Sequence, residues 1–242
     1  TALLEERDHT EWRQQFTHLH AKEQEACIEK DLHPESETLT MGEVIHALNE
    51  LTGGDAIIVT DVGQHQMATC RYAQFYESKS NITSGGLGTM GFALPAAIGA
   101  KYGAPHRTVV AVIGDGGFQM TLQELGTIMQ EGIDVKILIL NNRFLGMVRQ
   151  WQELFHKKRY SFVDMQSPDF VQLAKAYNIE GASVSQRAHV KEALQQMLSH
   201  KGSYLLEVIV GKENNVFPMV EAGTSVSEIR LGPAPPPPQG GS

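Results

Sequence analysis

Cysteine is nearly absent, with Cys27 and Cys70 the only two among 242 residues. Two cysteines without metal-ligand spacing make neither a zinc site nor a disulfide framework, which fits a reducing compartment. Long apolar runs are missing as well: no stretch of 18 apolar residues occurs and no secretory signal pattern is present, so no membrane-spanning helix is expected. A cytoplasmic location follows, organellar if the source is eukaryotic. Basic residues are outnumbered, 20 Lys and Arg against 28 Asp and Glu for a net charge of −8, and no basic stripe interleaves with aromatics. Neither nucleic acid nor an anionic membrane surface is an expected partner. The sharpest deficit is local, because no Lys or Arg occurs from Ala111 to Val135 while Asp115, Glu124, Glu131 and Asp134 all carry negative charge.

What is present in that region is a strand, turn, helix, strand unit. Thr108–Ile113 and Val135–Leu140 are apolar runs with the length and branched composition of buried parallel strands, and Leu122, Leu125, Ile128 and Met129 recur between them at helical spacing. A right-handed crossover brings the carboxyl ends of both strands to one sheet edge, where open α/β sheets bind their ligands. Asp115, in the glycine turn Gly114-Asp115-Gly116-Gly117, and Asn142, just past the second run, then meet around one ion. A glycine turn before a helix N-terminus offers N–H groups and a positive dipole end to a phosphate. With no basic residue nearby, a diphosphate beside Asp115 requires a counter-charge, and Mg²⁺ supplies it through carboxylate, amide and carbonyl oxygens. GDG alone is equally served by a strand-end turn with an exposed Asp; the spacing, the fold context and the missing cations favour the metal.

Further segments fit the same sheet edge. Ile57–Val62 is an apolar strand followed by Gly63-Gln64-His65, so Gln64 and His65 project from a strand-to-helix turn. Residues 84–91, SGGLGTMG, place four glycines where a backbone must turn or admit another molecule closely. Ala93–Ala100 supplies small residues for a tightly packed helix, with Pro95 tolerated in its first turn. Thr38–Leu51 is the first helix, with Thr40 as N-cap and Glu43 completing a capping box. Pro168–Tyr177 and His189–His200 read as helices, and Ala182–Val184 and Tyr204–Val210 as strands. The expected fold is α/β, a doubly wound, mostly parallel sheet flanked by helices. Residues 1–37 read as a helical interdomain connector, of which Glu5–Lys30 is charged and helix-prone, 38–220 as the domain, and 221–242 as an extension whose Pro/Gly-rich end, from Leu231 onward, is a disordered tail or appended linker.

GDG at 114–116 followed by NN at 141–142 resembles the diphosphate-binding motif of thiamine-diphosphate enzymes. Together with GQHQM at 63–67, SGGLGTMGFALPAAIGA at 84–100 and NNRFLGMVRQW at 141–151, the chain resembles the acetohydroxyacid synthases (biosynthetic acetolactate synthases) from about Leu39 to about Val220. The resemblance implies the thiamine-diphosphate-binding fold, with Gly63, Gln64, His65, Gly88, Met90, Gly114, Asp115, Gly116, Gly117, Asn142, Gly146 and Met147 at the cofactor. It makes Asp115, Asn142 and the backbone carbonyl of Phe144 the Mg²⁺ ligands, Met90 the residue that bends the cofactor, and Met147 and Trp151 a substrate pocket favouring 2-ketobutyrate over pyruvate. The family decarboxylates pyruvate and condenses the product with pyruvate or 2-ketobutyrate, giving acetolactate or acetohydroxybutyrate for branched-chain amino-acid synthesis. It does so with three domains. The activating Glu belongs to a pyrimidine-binding domain, contributed by a second subunit, and FAD mainly to a middle domain. Neither domain is seen here, so no catalytic residue is assigned to this chain, which alone is expected to be inactive. Implied partners are the pyrimidine-binding domain of a homodimer or larger assembly and a regulatory small subunit. Another thiamine-diphosphate carboligase or decarboxylase, or a non-catalytic assembly module, are the rival readings.

Overall fold

The computed structural model describes residues 8–233, and the Pro-rich end from 234 and the first residues of the charged connector lie outside them. The chain divides into two compact units, 34–216 and a flanking unit made from the segments before 34 and after 216. Residues 217–220, expected with the domain, fall in the flanking unit. That unit contains helix α1 (Thr10–Glu23), continuing through a π-helical stretch Gln24–Ile28 to Glu29–Leu32, and a two-stranded antiparallel hairpin of Met219–Val220 with Ile229–Arg230. The Cys27 thiol donates to the Leu231 carbonyl at 3.3 Å.

Within 34–216 the sheet has six strands, β1 (Ile57–Thr60), β2 (Asn81–Ile82), β3 (Val109–Gly114), β4 (Lys136–Asn141), β5 (Glu180–Val184) and β6 (Tyr204–Ile209). Their spatial order is β2-β1-β3-β4-β6-β5 and every pairing is parallel. The central strands are buried on both faces, as β-branched runs without alternation require. Each fully buried Ile, Leu or Val side chain contributes roughly 1.5–3 kcal/mol relative to exposure. Lys136 interrupts the apolar run at the amino end of β4, where its ammonium reaches Asp134 Oδ1 at 2.6 Å and the carbonyls of His200 and Gly202 at 2.8 and 2.5 Å. Phe118 and Phe170 lie beneath the sheet edge with no exposure, edge to face at 5.4 Å between ring centres.

Helix α2 (Met41–Thr52) starts with the expected capping box. The Glu43 N–H donates to Thr40 Oγ1 at 3.0 Å, the Thr40 N–H to Glu43 Oε2 at 2.9 Å, and Gly53 closes the helix at φ +59°. Helices α3 (Gln64–Tyr72) and α4 (Ala93–Gly103) follow, the latter with Pro95 in its first turn. The single helix expected after Asp115 is two: α5 (Asp115–Thr121) and α6 (Leu125–Glu131), separated by a 3₁₀ turn at Leu122–Glu124. Leu125 and Ile128 are buried in the core, but Met129, beside them on the same segment, is exposed. Helices α7 (Gly146–Phe155), α8 (Phe170–Ala176) and α9 (Arg187–Ser199) complete the unit.

The chain leaves β1 toward β2 on one side and leaves β3 toward β4 on the other. This divergence makes a topological switch point at the carboxyl ends of β1 and β3, the place where open α/β sheets form a crevice.

Candidate cofactor site

Strand β1 ends at Thr60, two residues earlier than the apolar run suggested, and Asp61, Val62 and Gly63 carry the chain into α3. Gly63 has φ +146°, and a Cβ there would press on the His65 ring, so glycine is what lets the imidazole fold back over the turn. His65 is buried, its Nε2 paired with Asp61 Oδ1. The amide of Gln64 donates to Gln150 Oε1 at 3.0 Å and the Asn214 carbonyl at 3.2 Å, and its Oε1 accepts from Asn142 Nδ2 at 3.3 Å. Gln64 therefore orients Asn142.

The anticipated glycine turn at 114–117 is the start of α5 itself: Gly114 is the N-cap and Asp115 the first helical residue. The free N–H groups of the first turn and its positive end thus begin at the Asp115 carboxylate. Asp115 is 1% exposed and, among the described residues, has no basic side chain within hydrogen-bond reach; Ser167 Oγ donates to its Oδ2 at 3.1 Å. Burial pushes this carboxyl from the ordinary 3.8 up to about 6, against the lowering pull of Ser167, of the Asp115 and Gly116 N–H groups and of His65. A carboxylate in this state favours a cation.

Beyond β4 the chain turns sharply. Asn141 Oδ1 accepts the Arg143 N–H at 2.9 Å and Asn142 Oδ1 accepts the Phe144 N–H at 3.0 Å, two successive Asx turns that hold Arg143 at φ +59°. A Cβ on Gly146, at the start of α7, would collide with Gln64 Oε1 and lie 2.7 Å from Asn142 Nδ2. The glycine is what allows α7 to begin so close to these amides.

These three strand ends enclose one cavity of about 190 Å³. Of the anticipated residues, Gly63, Gln64, His65, Met90, Gly114, Asp115, Gly116, Gly117, Asn142, Phe144, Gly146 and Met147 all line it. Gly88 does not; it sits at φ +55°, its nearest side-chain neighbour being Val62. Trp151 lines a separate cavity with Gln152, His156 and Arg159, 37% exposed and 4.7 Å from the Phe155 ring. Val148 borders both cavities. Among the described residues no three His, Cys, Asp or Glu side chains converge as a metal cage. The donor set on offer is instead one buried carboxylate, one amide oxygen and backbone, all oxygen, which suits a hard cation that keeps bonds to a phosphate and water. The cavity residues fit a magnesium diphosphate.

Among the residues that sequence patterning missed are Asp61 and Ser167. Asp61 is a lone carboxylate closing an apolar run, one turn before His65, and that polar interruption was the available signal. Ser167 meets Asp115 across 52 residues with nothing in its local sequence to announce it.

Comparison with known proteins agrees with this geometry. Residues 61–208 match the family model of the thiamine pyrophosphate enzymes, C-terminal TPP-binding domain. The chain is 44% identical over 187 residues to the acetolactate synthase isozyme 2 large subunit of Escherichia coli K12, covering 77% of this chain and 34% of that one. It is 40% identical over 230 residues to chloroplastic acetolactate synthase 1 of Nicotiana tabacum, covering 92% and 34%. Among solved structures, the Rhodococcus jostii RHA1 thiamine diphosphate-dependent 4-hydroxybenzoylformate decarboxylase superposes with a TM-score of 0.67 at 27% identity, over 73% of this chain and 33% of its own. The chain thus spans about a third of the length of these relatives.

Proposed function

We propose, for a chain that belongs to the thiamine pyrophosphate enzymes through their C-terminal TPP-binding domain, that the cavity at the ends of β1, β3 and β4 holds the magnesium diphosphate of thiamine diphosphate and that the chain is the cofactor-binding part of an acetolactate synthase. The observation that carries this reading is Asp115: a buried carboxylate at a helix N-terminus, without a basic partner, facing Asn142 and Phe144 across one cavity. Asp115, the Asn142 side chain and the Phe144 carbonyl would hold Mg²⁺. The first-turn N–H groups of α5 and His65 would take the diphosphate oxygens, while Gln64 keeps the Asn142 amide turned. Met90 would support the cofactor from below, and Met147 and Trp151 would border the acceptor. When bound, thiamine diphosphate supplies the electron sink on which a 2-ketoacid is decarboxylated. This domain binds and orients, and its contribution is positional.

The cavity volume supports a shared site. About 190 Å³ falls below the roughly 300–1,000 Å³ typical of complete small-molecule pockets, and a pyrimidine-binding domain from a second subunit would close it. Pyruvate and 2-ketobutyrate as substrates, FAD in a further domain, a homodimer or larger assembly with a regulatory subunit, and a cytoplasmic or organellar setting belong to the same proposal for the longer enzyme. Identities of 40–48% to acetolactate synthases against 27% to the decarboxylase favour the synthase over another member of the family. Calorimetric titration of the chain with thiamine diphosphate tests the site: heat is expected with Mg²⁺ and none with chelator. Binding that ignores the metal would remove Asp115 and Asn142 from the assignment.

A further inference from the structure

Asp61 sits where three segments of the cavity wall converge, and the cofactor assignment makes no use of it. Its side chain is fully buried one residue past β1. Oδ1 pairs with His65 Nε2, and Oδ2 accepts the Gly91 N–H at 3.1 Å. The third segment is the first turn of α5, where a Cβ on Gly117 would collide with Oδ2. Only a residue without a side chain fits there.

Gly91 is held from its other side too. Thr121 Oγ1, at the end of α5, donates to the Gly91 carbonyl at 2.9 Å, and a Cβ on Gly91 would lie 3.0 Å from Met120 Cβ and 3.1 Å from Thr121 Cγ2. Both polar groups of the residue following Met90 are therefore fixed, one by Asp61 and one by Thr121. The carboxylate has a second consequence. Oδ1 holds Nε2, and Nδ1, which lies beside Gly63 and Gly114, is the ring atom left for a ligand.

Building on the cofactor reading above, we propose that Asp61 is a positioning residue: by gripping His65 with one oxygen and the Gly91 amide with the other, and with Thr121 holding the Gly91 carbonyl, it sets His65 and Met90 in fixed register across the cavity. A single buried carboxylate then couples the diphosphate end of the site to the support for the rings. Its absence would leave each segment folded but free to shift.

The test compares the wild-type chain with Asp61→Asn and Thr121→Val. It measures Mg²⁺–thiamine diphosphate affinity by calorimetry, ring ¹⁵N shifts of His65, amide exchange at Gly91, and the melting temperature. Asn offers one acceptor and one donor face where the carboxylate offers two acceptors, so D61N should loosen the His65 ring, seen as altered ring ¹⁵N shifts, or release the Gly91 amide to fast exchange. Affinity should fall by about ten- to a hundredfold, as when an outer hydrogen-bond partner of a site is lost. T121V keeps the shape, should leave the His65 ring ¹⁵N shifts unchanged, should speed exchange at Gly91, and should weaken binding less than D61N. Wild-type binding with unchanged affinity in both variants would overturn the positioning role while leaving the cofactor reading intact. So would an affinity loss that only follows a lowered melting temperature, with His65 and Gly91 undisturbed. Wild type that binds no magnesium thiamine diphosphate, either as this chain or within the longer enzyme, would overturn both.

Discussion

Replacing Asp115 with Asn should make the cofactor-free chain more stable and the cofactor-loaded chain less so. The carboxyl is buried, and its pKa stands at about 6 against 3.8 in the ordinary state. That rise corresponds to a penalty on the order of 3 kcal/mol for keeping the ionised group inside the folded chain, at about 1.4 kcal/mol per tenfold. The sign follows from which state loses its proton first. Below pH 3.8 the carboxyl is protonated in folded and unfolded chains alike and costs nothing. Between 3.8 and 6 the unfolded chain ionises while the folded chain holds its proton, so stability falls as pH rises; above 6 the loss is complete and constant. Asn is neutral throughout and its oxygen still accepts from Ser167. Urea unfolding followed by circular dichroism, with chelator present, should therefore show D115N and wild type converging near pH 4. By pH 7.5 the variant should be ahead by up to roughly 3 kcal/mol, or about 6–12 °C in melting temperature for a chain of this size. Adding Mg²⁺ and thiamine diphosphate at a thousandfold excess over Kd should reverse the order, since only the wild type gains ligand stabilisation, about 4.1 kcal/mol against the variant's lead of roughly 3 kcal/mol. A stability difference that does not change between pH 4 and 7 would refute the buried-charge argument. An equal gain by the variant on adding metal and cofactor would refute the ligand assignment.

Other substitutions probe separate links. Gly146→Ala places a methyl against Gln64 Oε1 and Asn142 Nδ2; since those amides are tied to Gln150 and Asn214, calorimetry should show cofactor affinity reduced about tenfold, or 1.4 kcal/mol, and an unchanged affinity would mean Gln64 does not orient Asn142. Phe118→Ala removes a fully buried ring packed on Phe170 and should cost roughly 3–5 kcal/mol in urea unfolding; a loss below 1 kcal/mol would show that the site's floor is not part of the core. In the longer enzyme, Trp151→Leu should lower the preference for 2-ketobutyrate over pyruvate in a competition assay, and an unaltered product ratio would remove Trp151 from the acceptor pocket.

The sheet was legible because its strands are buried on both faces: Val109–Ile113 and Ile137–Leu140 have no polar residue to signal anything else. The glycines were legible where they mark contacts that a Cβ would block, as at Gly63 and Gly146. The break in the helix after Asp115 was not, since Leu122, Leu125 and Ile128 keep helical spacing through the 3₁₀ turn and a change of one hydrogen-bond register leaves no mark on apolar periodicity. Strand β2, two residues on the sheet edge, is too short to carry a pattern.

The unread part of the site has a common cause. Asp115 and Asn142 sit at the ends of adjacent strands, so crossover geometry alone predicts that they meet. The contacts of Ser167 with Asp115, of Asp61 with Gly91 and of Gln64 with Gln150 span 52, 30 and 86 residues, and each is made by a loop or helix whose path the strand pattern does not determine. Residues that would touch the ligand are thus set by the sheet, while those that orient them are set by how the connections pack. Ordering those connections requires the outer hydrogen bonds to be satisfied before any ligand arrives, as they are for Gln64, His65 and Asn142. Asp115 is left with a buried charge and a hydroxyl and its own helix end to meet it. A buried charge met so sparingly is a position at which binding energy can be gained, which is why the stability of the free chain and its affinity for metal should change in opposite directions at this residue.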